Sequence, residues 1–187
     1  MRALTSLMPP SHTTSLAQLV SRIRAGHADA LGELYARAAG RLGALAHRLT
    51  GSRQDAEDVV HDVFLGLPEA LAHYDEQGQF EPWLRRVTAR VALTRARGRQ
   101  RRREHGLSAE LPHAQATLSL DDKVALSSAL DALPDSLRTV IVLKMIEGYS
   151  HAEIAELLEI TPRASEQRLH RAVKALRSQF TSSSVIR

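Results

Sequence analysis

Apolar residues recur at spacings of three and four along nearly the whole chain, and this periodicity restricts the fold to packed helices. Residues 28–49 carry Leu31, Leu34, Tyr35, Ala38, Leu42, Leu45 and Leu49 on one stripe, and Gly51 stands just past it, as a helix stop does. Ser52 is the candidate N-cap of the next helix, with Asp55 three residues on. That helix would bury Ala56, Val59, Val60, Val63, Phe64, Leu67 and Leu71. Pro68 inside it predicts a kink or an early end near Gly66. Residues 73–79 read as loop. A third helix starts at Phe80 with Phe80, Trp83, Leu84, Val87 and Val91 facing inward, and strand signals are almost absent. Aromatic residues make up only 4% of the chain, so the core must be aliphatic, which again favours helices.

The periodicity fades over residues 104–120, where Gly106, Pro112 and small polar residues mark a flexible linker. The chain therefore reads as all-α: two small helical domains, at 16–103 and 121–180, joined by that linker. Disordered tails are expected at 1–15 and 181–187. Within the second domain, Pro134 separates a short helix at 124–133 from one at 136–147, which Gly148 ends.

The stretch after Gly148 has the marks of a helix-turn-helix. Ser150 caps a helix while Glu153 reaches back, and Ile154, Ala155 and Leu158 face the core. Thr161 caps the next helix with Pro162 in its first turn, where a missing N–H costs nothing. That helix buries Leu169, Ala172, Val173 and Leu176 and presents Arg163, Glu166, Gln167, His170, Arg171 and Lys174 on the other side. A helix polar at its start and basic along one flank suits a major groove, with base edges at its first turns and phosphates beside them.

Charge is distributed unevenly. Residues 16–84 hold ten acids against six bases, whereas residues 85–103 hold nine arginines and no acid. Such a block on an acidic body fits a polyanion on one face and a basic protein on another. With no cysteine, disulfides, thiolate zinc sites and cysteine nucleophiles are excluded. There is no His-Glu-x-x-His, no phosphate-binding glycine loop and no nucleophile elbow, so no catalytic residue, metal or cofactor is expected. Asp58, His61 and Asp62 share a helical face, but no second ligand cluster exists to complete a metal shell. No apolar run approaches the ~20 residues that span a bilayer, and residues 1–14 lack a signal-peptide core, so a cytoplasmic protein without membrane insertion is expected.

Four stretches resemble the extracytoplasmic-function (ECF) sigma factors of bacterial RNA polymerase. They are Asp55-Ala-Glu-Asp-Val-Val-His-Asp-Val-Phe-Leu65 and Phe80-Glu-Pro-Trp-Leu-Arg-Arg-Val87 in the first domain, and Ala132-Leu-Pro-Asp-Ser-Leu-Arg138 with Gly148 to Leu176 in the second. The resemblance covers nearly everything from Ala28 to Arg177, with the linker in the right place. It implies an initiation subunit that directs core RNA polymerase to promoters. Asp55, Asp58, His61 and Asp62 would dock on the coiled coil of the largest subunit, with the flap region as a further polymerase contact. Tyr74, Gln79, Arg85, Arg86, Arg90, Thr94, Arg95 and Arg97 would read the melted −10 element, with cations along the strand backbone. Arg163, Glu166, Gln167, His170, Arg171 and Lys174 would read duplex −35 DNA. Since members of the family are commonly restrained by an anti-sigma factor, such a partner is the natural expectation.

Some positions depart from the pattern. Arg90 and Thr94 stand where the family often has Asn and Asp. Glu159 occupies the turn of the helix-turn-helix, where Gly is usual and a left-handed non-Gly residue costs about 1 kcal/mol. Ser165 replaces a Val beneath Leu169, and Glu166 replaces a basic residue and could accept from cytosine. These departures bear on which promoter is read. The alternative is a free-standing dimeric helix-turn-helix regulator, which would need a palindromic site and would leave the acidic helix and the arginine helix without evident purpose.

Overall fold

A computed structural model describes residues 15–75, 78–104 and 128–183. Residues 1–14 of the tail expected at 1–15, most of the linker, the start of the second domain and residues 184–187 lie outside the described residues, whereas Ser15 caps a helix and residues 181–183, expected in the second tail, are helical. All regular structure among those described is helical.

The first domain consists of α1 (Leu16–Arg24), α2 (Ala28–Thr50), α3 (Arg53–Ala72) and α4 (Phe80–Glu104). The sequence reading did not single out α1, yet its start carries a signal. Ser15 and Gln18 form a capping box: the Ser15 hydroxyl accepts from the Gln18 backbone N–H at 3.2 Å, and the Gln18 side-chain Oε1 accepts from the Ser15 N–H at 2.9 Å. Leu19, Val20 and Ile23 then lie buried against α2 and α3. In α2 the stripe runs through Leu34, Ala38, Leu42, Leu45 and Leu49. Tyr35 was expected on that stripe and is 49% exposed, because it sits one residue (about 100°) round from Leu34; its ring packs edge-to-face with Phe64, the centroids 4.9 Å apart. Gly51 closes α2 in the left-handed conformation, φ +66°, donating its N–H to the His47 carbonyl.

Pro68 does not end α3. The helix continues to Ala72, since Val63, Phe64, Leu67 and Leu71 are all buried on one face and Pro68 itself is exposed. Tertiary burial on both sides of the proline outweighs the one backbone hydrogen bond it removes.

In the second domain a helical turn at 128–131 precedes α5 (Asp135–Ile141), which runs into a π-helical segment, Val142–Ile146. The single regular helix expected over 136–147 is therefore widened at its end: the Glu147 N–H reaches the Val142 carbonyl, five residues back, at 3.1 Å. The helix-turn-helix follows as α6 (His151–Leu158) and α7 (Pro162–Ser183). Helix α5 packs on α7 and also against α2 of the first domain, so the buried residues of both domains form one continuous apolar cluster.

Candidate nucleic-acid interface

The local geometry of the helix-turn-helix follows from its caps. Ser150 accepts from the Glu153 N–H, while Glu153 Oε2 accepts from the Ser150 N–H at 2.9 Å and from its hydroxyl at 2.8 Å. These bonds, with Arg86 and Lys144 nearby, hold the Glu153 carboxyl below the usual carboxylate range. Glu159 takes the turn at φ 56°, ψ 45°, so the left-handed conformation anticipated for that position is present on a side chain with a Cβ. The Thr161 hydroxyl accepts from the Ala164 N–H at 3.1 Å and starts α7. Ile154 and Ala155 are buried as expected, but Leu157 joins them where Leu158 is only half-buried. Ser165 is fully buried and lies 2.8 Å from His151 Nδ1, so a hydrogen bond between the two helices takes the place of the apolar side chain usual there. On the opposite side of α7, Arg163, Glu166, Gln167, His170, Arg171 and Lys174 are all exposed, in one continuous polar face.

The arginine block of α4 does not present one face. Helical geometry divides it into three. Arg90 and Thr94 point to solvent. Arg86 and Arg97, eleven residues and so three turns apart, face the second domain, where Arg86 meets Glu153 at 2.8 Å and Arg97 meets Glu159 at 3.2 Å. Arg85 lies 3.7 Å from Glu147, whose carboxylate is 6% exposed and also bonds Arg48 of α2 at 2.7 Å. Arg95 and Arg99, one turn apart, turn toward α3. Arg95 pairs with Asp55 at 3.1 Å, with Asp62 at 3.3 Å and with Asp58, while Arg99 holds Asp55 at 2.5 Å and the Thr50 carbonyl.

The acidic face of α3 thus carries its own cations. Asp58 and Asp62 remain about half exposed beside the exposed His61, and Leu65, 74% exposed, extends this face with an apolar side chain. Sequence reasoning had Asp55, Asp58 and Asp62 facing a basic protein and Arg95 facing DNA, whereas the structure brings all four together. The register of α4 on α3, which makes the pairs, has no signature in the sequence. Among the described residues no group of three or more His, Asp or Glu is arranged around a metal position.

Tyr74 follows the end of α3, and Gln79 stands just before α4. The Tyr74 ring is buried against Phe80 (5.7 Å) and Trp83 (4.7 Å), with the Arg24 guanidinium 5.9 Å above it. Gln79 is exposed. Both border a cleft of about 480 Å³ between the domains, which Trp83, Arg85, Arg86 and Glu147 also line. Tyr149, on the far wall, has its hydroxyl pKa raised chiefly by burial.

Comparison with known proteins agrees with this layout. A sigma-70 region 2 family model matches residues 34–102, and a sigma-70 region 4 family model matches residues 123–176. The chain is 32% identical over 160 residues to the ECF RNA polymerase sigma factor SigE of Mycolicibacterium smegmatis, covering 81% of this chain and 62% of that protein. It is also 32% identical over 163 residues to the RNA polymerase sigma factor CarQ of Myxococcus xanthus, covering 84% of this chain and 93% of CarQ. The solved structure of CnrH in complex with the cytosolic domain of CnrY is similar at a TM-score of 0.56 and 27% identity, over 88% of this chain and 96% of CnrH. Two region models in the right order, and a relative matched over nearly its full length, place the chain in one family: it belongs to the ECF RNA polymerase sigma factors.

Proposed function

We propose that the two domains divide promoter recognition between them. The first domain, residues 16–103, holds core polymerase through the α3 face of Asp58, His61 and Asp62, with Asp55 braced behind by Arg99. A partly exposed acidic face with an apolar neighbour, Leu65, fits a basic helical partner such as a coiled coil. The same domain meets the melted −10 strand through α4 and the loop before it, with Gln79, Arg85, Arg86, Arg90, Thr94 and Arg97 as contacts. Tyr74 supports that loop from within the core. Arg95, which faces the three aspartates, belongs with the docking face in this reading.

The second domain, residues 121–180, places α7 in the major groove of the −35 element. The observation that carries this assignment is the exposed row Arg163, Glu166, Gln167, His170, Arg171 and Lys174 on a helix whose opposite side is fixed by Ala172 and Ser165. The flap region of polymerase would meet this domain as well. The chain acts in the cytoplasm, by binding and without a reaction of its own. As CnrH is found with CnrY, this chain is expected to be restrained by a separate anti-sigma protein.

Transcription in vitro tests the reading. Core polymerase with the purified chain should start RNA synthesis from a subset of a promoter library, with matched −35 and −10 elements in the selected set. No initiation on any template, or no complex with core enzyme, would overturn it. A free-standing dimeric regulator would instead shift palindromic DNA without polymerase.

A further inference from the structure

The last turn of α3, Glu69-Ala-Leu-Ala72, carries an acid and no base, although the carbonyls at a helix end favour a cation. The charge comes from α1 instead. Arg24 Nε donates to the Leu71 carbonyl at 3.0 Å, and a terminal nitrogen of the same guanidinium donates to the Tyr74 carbonyl. We propose that Arg24 is a positioning residue for −10 recognition: its planar fork joins the last turn of α3 to the start of the loop and so sets the course of the chain toward α4. The inference rests on the division of labour proposed above, in which that loop and α4 meet the melted strand.

The guanidinium reaches this place because α1 is anchored beside it. Ile23, the preceding residue, is buried with Leu19 and Val20, and α1 packs on α3. The Tyr74 backbone is then held at both ends, its N–H by the Leu71 carbonyl at 3.2 Å and its carbonyl by Arg24. Its ring is held as well, with the guanidinium 5.9 Å above the centroid. Tyr74 passes this order on to α4. The ring stands 4.7 Å from Trp83 and 5.7 Å from Phe80, both in the first turn of that helix, so the two ends of the loop share one aromatic cluster. Trp83 in turn lines the same cleft as Gln79, Arg85 and Arg86. A fork can span two carbonyls, whereas the ammonium of a lysine is a single point of charge. Arg24 lies ahead of residues 34–102, the span of the region 2 match, so the pattern that identifies the domain does not include it.

A loop that captures a strand binds best when its backbone is ordered beforehand, since ordering left to the moment of binding subtracts from affinity. The −35 row of α7 is built by other contacts, and Asp58 and Asp62 lie well before Leu71 on α3. Loss of Arg24 should therefore fall on the −10 element.

The test uses the full chain with core polymerase on a promoter selected in vitro, unchanged or with base substitutions in its −10 or its −35 element. The ratio of transcript from the unchanged promoter to that from each substituted one measures discrimination at that element. The control for Arg24→Gln is Arg22→Gln, the same charge change two residues away on α1, where the partners are Asp29 and Glu33. Arg24→Gln should lower −10 discrimination at least about fivefold, as expected when two hydrogen bonds from a charged group no longer hold the loop, and leave −35 discrimination unchanged. Trp83 is the only tryptophan in the sequence, so its fluorescence reads the loop without polymerase. Acrylamide should quench it more strongly in Arg24→Gln than in Arg22→Gln. Arg24→Lys, with the charge but not the fork, should fall between the two in both measurements, and it decides by the same comparisons where Arg24→Gln fails to join core polymerase. A −10 discrimination equal to the control's, an equal loss at both elements, or equal quenching overturns the positioning role. The functional reading fails separately, if the parent chain itself does not discriminate among −10 sequences.

Discussion

Replacing Glu147 by Gln keeps the shape of the side chain and removes the one nearly buried carboxylate that joins the domains. In the native chain this group accepts from Arg48 at 2.7 Å and lies 3.7 Å from Arg85. The Arg85 side chain is 45% exposed, so that arm is screened and contributes little. The Arg48 arm is the stronger one. It is a short charged hydrogen bond to a carboxylate 6% exposed, and Arg48 Nε is buried without a partner among the described residues. With one charge of such a pair removed, Arg48 keeps its desolvation cost without the opposing charge, a loss of about 2 kcal/mol. For a chain of this size the midpoint of thermal unfolding should fall by roughly 4–8 °C. A double-mutant cycle with Arg48→Gln isolates the pair, and a coupling of about 1–2 kcal/mol is expected from denaturant titrations. The cycle also reads cooperativity, since losing this link should spread one transition toward two as the domains uncouple. A coupling below about 0.5 kcal/mol, with a single unshifted transition, would refute the reasoning: Glu147 would then be a solvated surface acid and the apposition of the domains energetically empty.

Three further outcomes follow from the geometry. Arg171→Ala should weaken binding to a matched −35 duplex by ~1–3 kcal/mol in fluorescence anisotropy while hardly changing binding to a mutated site; equal losses on both would make Arg171 a phosphate contact. Gly51→Ala should destabilise the chain by about 1–3 kcal/mol in chemical denaturation, because φ +66° is strained for any Cβ and this one would press on Arg138; a neutral result would mean that Arg138 does not pack there. The Glu153 carboxyl, whose native pKa is depressed, stabilises the fold above its unfolded pKa, and this contribution disappears as pH falls through the lower native value. The melting difference between the parent and Glu153→Gln should therefore be present at pH 6 and shrink on acidification, and a difference that grows instead would reverse the sign of the assignment.

Helices and caps were legible because their causes are local. The stripe from Leu34 to Leu49, the Ser150 and Glu153 capping box and the Thr161 cap all follow from residues within one or two turns of each other. The same logic would have found α1, since Ser15 and Gln18 repeat the capping-box spacing ahead of Leu19, Val20 and Ile23. Where local rules misled, a distant contact had intervened. Pro68 stays within α3 because Leu71, beyond it, is buried in the core, and the end of the helix after α5 widens where Glu147 turns toward Arg48 and Arg85.

The fate of the arginine block shows where sequence reasoning stops. Nine arginines with no acid among them look like a single polyanion-binding surface, and composition alone favours that view. A helix cannot keep nine such residues on one side, however, because successive residues are turned by about 100°. Arg90 is left to solvent, Arg95 and Arg99 neutralise the aspartates of α3, and Arg85, Arg86 and Arg97 reach the second domain. The division is set by which helices flank α4, a matter of tertiary register. The periodicity of α4 fixes which arginines travel together; only the packed structure shows that one group meets the aspartates of α3 and another the acids of the second domain. A single basic segment is thereby tied to α3 on one side and to the second domain on the other, so a perturbation at either alters the surroundings of α4.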